Sequence, residues 1–377
     1  MLEYFHQALA ELAREERRRA LAPMRGLDFA SNDYLALASA PELKKAVEDA
    51  LGRGVSIGAG ASRLLRGNHP EHEALEEEAA RYFGCEGALY LGNGFLANYS
   101  LMTTLPQRGD LIVHDALVHA SAHDGMRTAR AEAVGVPHND VSAFADAIAA
   151  WRARGGAGRV WILVESLYSM DGDRAPLADL VALADRAQAM LLIDEAHATG
   201  VFGPGGRGLA AELEGRENVI TLHTCGKALG TMGALICAPK VICDFLVNRC
   251  RPFIFSTAPS PLMAAATRAA LRLLEHEPAR QRQLAGLIEF SGRALAERTG
   301  HAPSGSQILP VIVGGNGRAM ALAAAMQGHG YDIRGIRPPT VPDGTARLRI
   351  ALTLHVNQDQ VSQMIDVLAG ELASLAA

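Results

Sequence analysis

Six short apolar runs limit what this chain can fold into: GALYLGN (87–93), DLIVHD (110–115), VWILVES (160–166), AMLLIDEA (189–196), NVITLHT (218–224) and GALICAP (233–239). Each is nearly continuous rather than alternating, so each reads as a strand buried on both faces. Helical patterns lie between several of them, for example PLADLVALADRAQA at 176–189. Buried strands joined by helices predict a mostly parallel sheet covered on both sides, an α/β fold. In such sheets ligands bind beyond the carboxyl ends of the strands.

The flanks read differently. Residues 1–22 carry Phe5, Leu9 and Leu12 at helical spacing with Pro23 beyond, and predict a helix. The segment GRGVSIGAGASRLLRGNHPEH (52–72) has no hydrophobic period and is dense in glycine. HEALEEEAARYFG then predicts a helix with Leu75, Ala79 and Tyr82 on one face, closed by Gly84. Residues 260–295 are helical and alanine-rich, and the remainder reads as a smaller α+β unit. The expected division is an N-terminal helix and arm (1–40), a large domain (41–275) and a small C-terminal domain (276–377).

Charge and cysteine usage exclude several classes. A formal charge of -5 and a pI near 6.2 lack the basic footprint of a nucleic-acid partner. The cluster REERRRA is diluted by Glu15 and Glu16. The five cysteines form no C-x-x-C pair, so neither a disulfide framework nor a zinc site is indicated, and no metal is expected. No apolar run reaches the roughly 18 residues of a membrane helix. The opening residues lack the pattern of a signal peptide. The expectation is a soluble, cytoplasmic protein without a membrane partner.

The strand ends carry the chemistry. AMLLIDEA ends on Asp194 with His197 three residues on; NVITLHT ends on Thr224, followed by Lys227 among small residues; VWILVES reaches Glu165 and then Ser169; and GALYLGN runs through Gly94 into a helix. A buried lysine without a partner is costly, so a group filling the space left by Cys225, Gly226, Ala228 and Gly230 would bind the amine. A helix starting after Gly-Asn-Gly suits a phosphate. Neither G-x-G-x-x-G nor a P-loop is present. Lysine, carboxylate and phosphate cradle together suit pyridoxal 5'-phosphate, whose aldehyde takes an amine and whose ring nitrogen takes a carboxylate. A carboxylate about 3 Å from that nitrogen is worth on the order of 5 kcal/mol. Helix capping is the competing reading of Asp194.

The segments SNDYLAL, VHASAHDG, SMDGDRAPL, IDEAHATGVFGPGGRGL, TCGKALG and IRPPTVPDGTARLRIALT resemble the α-oxoamine synthases in order and over nearly the whole chain. The resemblance implies the pyridoxal-phosphate-dependent aminotransferase fold (fold type I): a large, mostly parallel-sheet domain with a smaller C-terminal α+β domain. It also implies decarboxylative condensation of an amino acid with an acyl-CoA. RPPTVP before GTARLR resembles most the branch that joins L-alanine to pimeloyl-CoA.

What the resemblance implies for the site follows residue by residue. Lys227 holds the cofactor aldehyde, Asp194 the ring nitrogen and His197 the phenolic oxygen, while His119 stacks on the ring. Gly94 and Phe95 lie beside the phosphate, with Ser169 and Thr224 as polar contacts. Arg349 takes the amino-acid carboxylate, and Thr340 and Arg19 lie on the substrate side. His119 also reads as a packing histidine, Arg347 shares a strand face with Arg349, and Arg17 and Arg18 compete with Arg19. Two positions depart from the family, which often has glycine where this chain has Ala36 and Ala198. Relatives are homodimers, and 52–72 and FSTAPSP (255–261) are the candidates for crossing the interface.

Overall fold

The computed structural model describes residues 1–376. The chain divides into two compact units: Leu35–Ser169 with Arg174–Gln281, and Met1–Tyr34 with Met170–Asp173 and Arg282–Ala377. Among the described residues twelve strands run in chain order: β1 Leu27–Asp28, β2 Gly87–Leu91, β3 Leu111–Asp115, β4 Glu132–Val136, β5 Val160–Glu165, β6 Met190–Asp194, β7 Val219–Thr224, β8 Ala234–Ala238, β9 Ile308–Gly314, β10 Tyr331–Asp332, β11 Arg334–Ile336 and β12 Ala346–Ala351.

In the larger unit seven strands form one sheet in the order β2-β8-β7-β6-β5-β3-β4. The pairs from β7 to β4 are parallel, and β8 is antiparallel to both β7 and β2. All six apolar runs are strands of this sheet. β3, β5, β7 and β8 are buried along their whole length, as strands covered on both faces must be. One apolar cluster gathers Leu101, Ile112, Leu163 and Ile236; the other gathers Val113, Phe144, Ile162, Leu183 and Leu191. The edge strand β4 was missed in the sequence because Glu132, Ala133 and Gly135 are exposed and give it no apolar run.

Four helices of this unit bear on the site or its frame. They follow α1 (Glu3–Arg14) of the other unit: α2 Pro41–Gly52, α3 Pro70–Phe83, α4 Gly94–Thr104 and α5 Ala120–Thr128. α3 ends as predicted, with Gly84 at φ +85° as its left-handed cap. Ala36 adopts φ +53°, a conformation glycine takes without steric cost. That conformation accounts for the glycine often found there in the family.

In the smaller unit β11-β12-β9 form an antiparallel sheet, and β1 pairs with β10. α1 stops at Arg14, short of the predicted 22, because Glu16 turns into the left-handed region at φ +56°. Arg17, Arg18 and Arg19 therefore lie beyond the helix. The first 34 residues group with the C-terminal segment.

Candidate active site

The strand-end rule locates a cavity of about 170 Å³ at the carboxyl ends of β5, β6 and β7. Gly94, Phe95, His119, Asp194, His197, Thr224 and Lys227 all line it, together with Asn98 and Glu165. Parallel pairing accounts for the convergence. Glu165 and Asp194 are register partners on β5 and β6, and Asp194 is opposite Leu222 on β7.

Asp194 is buried and held from two sides. The backbone N–H of Ala196 donates to Oδ1 at 2.9 Å, and Asn98 Nδ2 donates to Oδ2 at 2.6 Å. Asn98 also donates to Ser121 Oγ at 3.1 Å, which lies 2.7 Å from His119 Nδ1. His119 caps α5 by accepting the Ser121 N–H at Nδ1, which places the proton of a neutral ring on Nε2. Loss of solvent lowers the His119 pKa against the opposing pull of Asp194, favouring the neutral ring.

Lys227 is half-buried, with Nζ 2.7 Å from His197 Nε2. Its neighbour Cys225 is fully buried, and burial pushes that thiol up to about 12. It therefore carries no thiolate and acts as a packing residue.

Across the cavity α4 begins at Gly94. Asn93 caps it by accepting from the Leu96 N–H at 2.8 Å, which leaves the N–H groups of Gly94 and Phe95 at the positive end of the helix dipole. A Cβ on Gly94 would stand 3.5 Å from Thr224 Oγ1, in the space between helix end and strand end. Phe95 is half-exposed above it.

Glu165 was read as a strand end but not as a site residue. It is buried, its Oε2 accepts the Ser169 N–H at 3.1 Å, and its Oε1 has no hydrogen-bond partner. Burial first, and then the charge of Asp194, raise its pKa well above the usual carboxylate range. Asn98 was missed altogether. Its signal was a polar residue one turn after Gly94 in an otherwise apolar helix start.

Ser169 is buried in the larger unit but is not among the residues lining the cavity; the remaining three predicted residues lie in the smaller unit. Arg349 on β12 is buried and donates from Nη2 to Asn32 Oδ1 at 3.1 Å, with Tyr34 Oη at 3.4 Å. Arg347, the competing arginine, ion-pairs with Asp171 at 2.5 Å. Arg19 donates to Thr340 Oγ1 at 3.2 Å. Arg17 instead pairs with Glu15 at 3.1 Å and Asp343 at 3.3 Å.

The larger unit's residues fit pyridoxal phosphate. Helix-end N–H groups suit the phosphate, Asp194 is an anchored anion for the ring nitrogen, and Lys227 is an amine beside a histidine. Fold and site thus define a pyridoxal-phosphate-dependent enzyme.

Comparison with known proteins narrows the class. Residues 25–368 match the family described as aminotransferase class I and II. The 8-amino-7-oxononanoate synthase of Anaeromyxobacter dehalogenans (strain 2CP-1) is 43% identical over 352 residues, covering 93% of this chain and 87% of that one. Among solved structures, an 8-amino-7-oxononanoate synthase from Francisella tularensis aligns with a TM-score of 0.79 at 26% identity, over 93% of this chain and 99% of that one. Serine palmitoyltransferase of Sphingomonas wittichii aligns with a TM-score of 0.88 at 28% identity, over 100% and 99%. The chain belongs to the class I and II aminotransferase family and, within it, to the 8-amino-7-oxononanoate synthases.

Proposed function

We propose that this enzyme condenses L-alanine with pimeloyl-CoA, releasing coenzyme A and carbon dioxide and giving 8-amino-7-oxononanoate for biotin synthesis. When bound, pyridoxal phosphate supplies an aldehyde for amines and a ring that accepts the electron pair left at the α-carbon. The chain's own residues do the rest. Lys227 would hold the aldehyde, and its amine, 2.7 Å from His197 Nε2, would be the group that moves the α-proton. Asp194, fixed by Asn98 and the Ala196 N–H, would face the ring nitrogen and favour its protonated form. His119 would pack against the ring as a neutral imidazole, with Ser169 and Thr224 as polar contacts. Gly94 and Phe95 offer N–H groups to the phosphate.

In the smaller unit Arg349 takes the amino-acid carboxylate, because Arg347 is committed to Asp171. The acyl choice rests on one observation: Arg19, which donates to the Thr340 hydroxyl at 3.2 Å, lies near enough to Arg337, whose guanidinium donates to Glu16 O, for the two charges to oppose each other. Loss of solvent and then the charge of Arg19 lower the Arg337 pKa, against the opposing Glu16. Two neighbouring like charges favour an arriving anion, such as the free terminal carboxylate of a pimeloyl chain.

The reading includes a cytoplasmic homodimer. Ile57, Leu65 and Phe255, in the two segments expected at an interface, are 75%, 81% and 70% exposed in the single chain. The cysteines are free thiols, in keeping with a reducing compartment. No helix among the described residues is long and apolar enough to cross a membrane.

Thiol release from the cofactor-loaded enzyme tests the proposal, with L-alanine supplied alongside pimeloyl-CoA or heptanoyl-CoA. Release that depends on alanine and favours pimeloyl-CoA supports it. Equal use of heptanoyl-CoA overturns the acyl assignment, and faster release with glycine or serine overturns the amino-acid assignment.

A further inference from the structure

Glu165 is the cavity residue that the roles above leave unused. It is 2% exposed at the end of β5, in register with Asp194 on β6. One carboxyl oxygen accepts the Ser169 N–H, while the other, Oε1, has no partner although it is buried. Two carboxyl groups thus stand side by side at adjacent strand ends. Asp194 is the better stabilised as an anion, since it accepts from both Asn98 and the Ala196 N–H.

We propose that Glu165 is a positioning residue of the cofactor site: a neutral carboxylic acid that donates a hydrogen bond through Oε1 to the bound group and leaves Asp194 as the anion facing the ring nitrogen. As a neutral acid, Glu165 accepts the Ser169 N–H on its carbonyl oxygen and holds a hydroxyl proton on the other. That accounts for a buried oxygen without a partner, because a donor in a ligand site waits for an acceptor brought by the ligand. The groups acting on Glu165 are Asp194 on β6, Asp115 on β3 and Lys227 beyond β7. The two aspartates disfavour its ionisation, and Lys227 favours it. A second anion here would compete with Asp194 for the ring's positive charge; a neutral acid does not.

The test uses the cofactor-loaded enzyme and its Glu165→Gln and Glu165→Ala variants. Infrared difference spectroscopy at neutral pH, parent minus Glu165→Gln, should show the carbonyl stretch of a protonated, solvent-shielded carboxylic acid beyond any band from Glu195, which both proteins share. Glutamine keeps the shape, the charge and a donor, so its cofactor dissociation constant should stay within about twofold of the parent. Alanine removes the donor and should weaken binding about tenfold. Absence of that difference band overturns the proposal, as does a glutamine variant that loses the cofactor as readily as alanine. The infrared difference does not use the alanine variant, so misfolding of that variant does not remove the test. Neither readout involves alanine or an acyl-CoA, so failure here is distinguishable from failure of the substrate assignment.

Discussion

Asn98 on α4 donates its side-chain amide to Asp194 at the end of β6 across 2.6 Å, and the same amide reaches Ser121 on α5 at 3.1 Å. Ser121 in turn holds His119. The network therefore ties the anion proposed for the ring nitrogen to the imidazole proposed for the ring face.

Breaking that network should separate charge from orientation. Asp194→Asn removes the anion and should lower turnover at least ~100-fold, the scale of an interaction worth a few kcal/mol. Asn98→Ala keeps the anion but frees it, and should cost about tenfold in turnover. Steady-state kinetics of the two loaded variants check the order. Equal losses would show that Asp194 acts only through its fixed position.

Lys227→Ala should abolish turnover while the protein stays folded, since the side chain is half-buried and faces His197 in the cavity rather than the apolar core. Circular dichroism and the cofactor's visible absorption in the presence of alanine check this. Wild-type turnover in the variant would remove Lys227 from its role.

The two arginines of β12 should behave oppositely. Arg349→Ala should raise the KM for L-alanine by about 10- to 100-fold, the value of a charge-assisted hydrogen bond pair. Arg347→Ala should leave that KM near the parent value and destabilise the fold by about 2 kcal/mol, because it breaks the contact with Asp171. Urea denaturation and alanine titration separate the two effects. An unchanged alanine KM in Arg349→Ala would transfer the role to Arg347.

Arg19→Ala and Arg337→Ala should each raise the KM for pimeloyl-CoA about tenfold without changing the KM for alanine. Heptanoyl-CoA, without the terminal carboxylate, should be indifferent to both changes. Equal effects on the two thioesters would place these arginines elsewhere on the substrate.

Glu195 should leave a signature in stability against pH. It is fully buried, and burial lifts its pKa from 4.5 to about 7 despite the opposing charge of His223 and the N–H groups of Leu209 and Ala210. The folded state thus holds this proton more tightly than the unfolded chain. Its stabilising contribution is complete below about pH 4.5 and is lost as the pH rises through about 7. Glu195→Gln should flatten that part of the profile in urea denaturation from pH 5 to pH 8. An unchanged slope would assign the loss to another group.

Much of this site was legible before any coordinates. Lys227, Asp194, His197 and Thr224 were found because strand ends converge in a parallel sheet and because a lysine among small residues asks for a partner. Gly94 came from the strand-to-helix turn that suits a phosphate, His119 and Phe95 came from the family resemblance, and all three line the same cavity. Asn98 left only a faint signal, a polar residue in an apolar helix start, whose role depends on which strand lies opposite it. The two arginines of β12 were ambiguous for a similar reason. Alternation gives them one face, while their partners Asp171 and Asn32 come from distant parts of the chain.

The sequence by itself determined the α/β class, the six apolar strands, the covering helices and the residue types of a pyridoxal-phosphate site, because these follow from local periodicity and from motifs contiguous in the chain. Tertiary structure decided the strand order β2-β8-β7-β6-β5-β3-β4, the exposed edge β4 and the pairing of Glu165 with Asp194. Those depend on which segments lie side by side, and protonation follows from that adjacency. A carboxyl's charge is set by the water it loses and the charges it gains, and neither is written in its own neighbourhood of the chain.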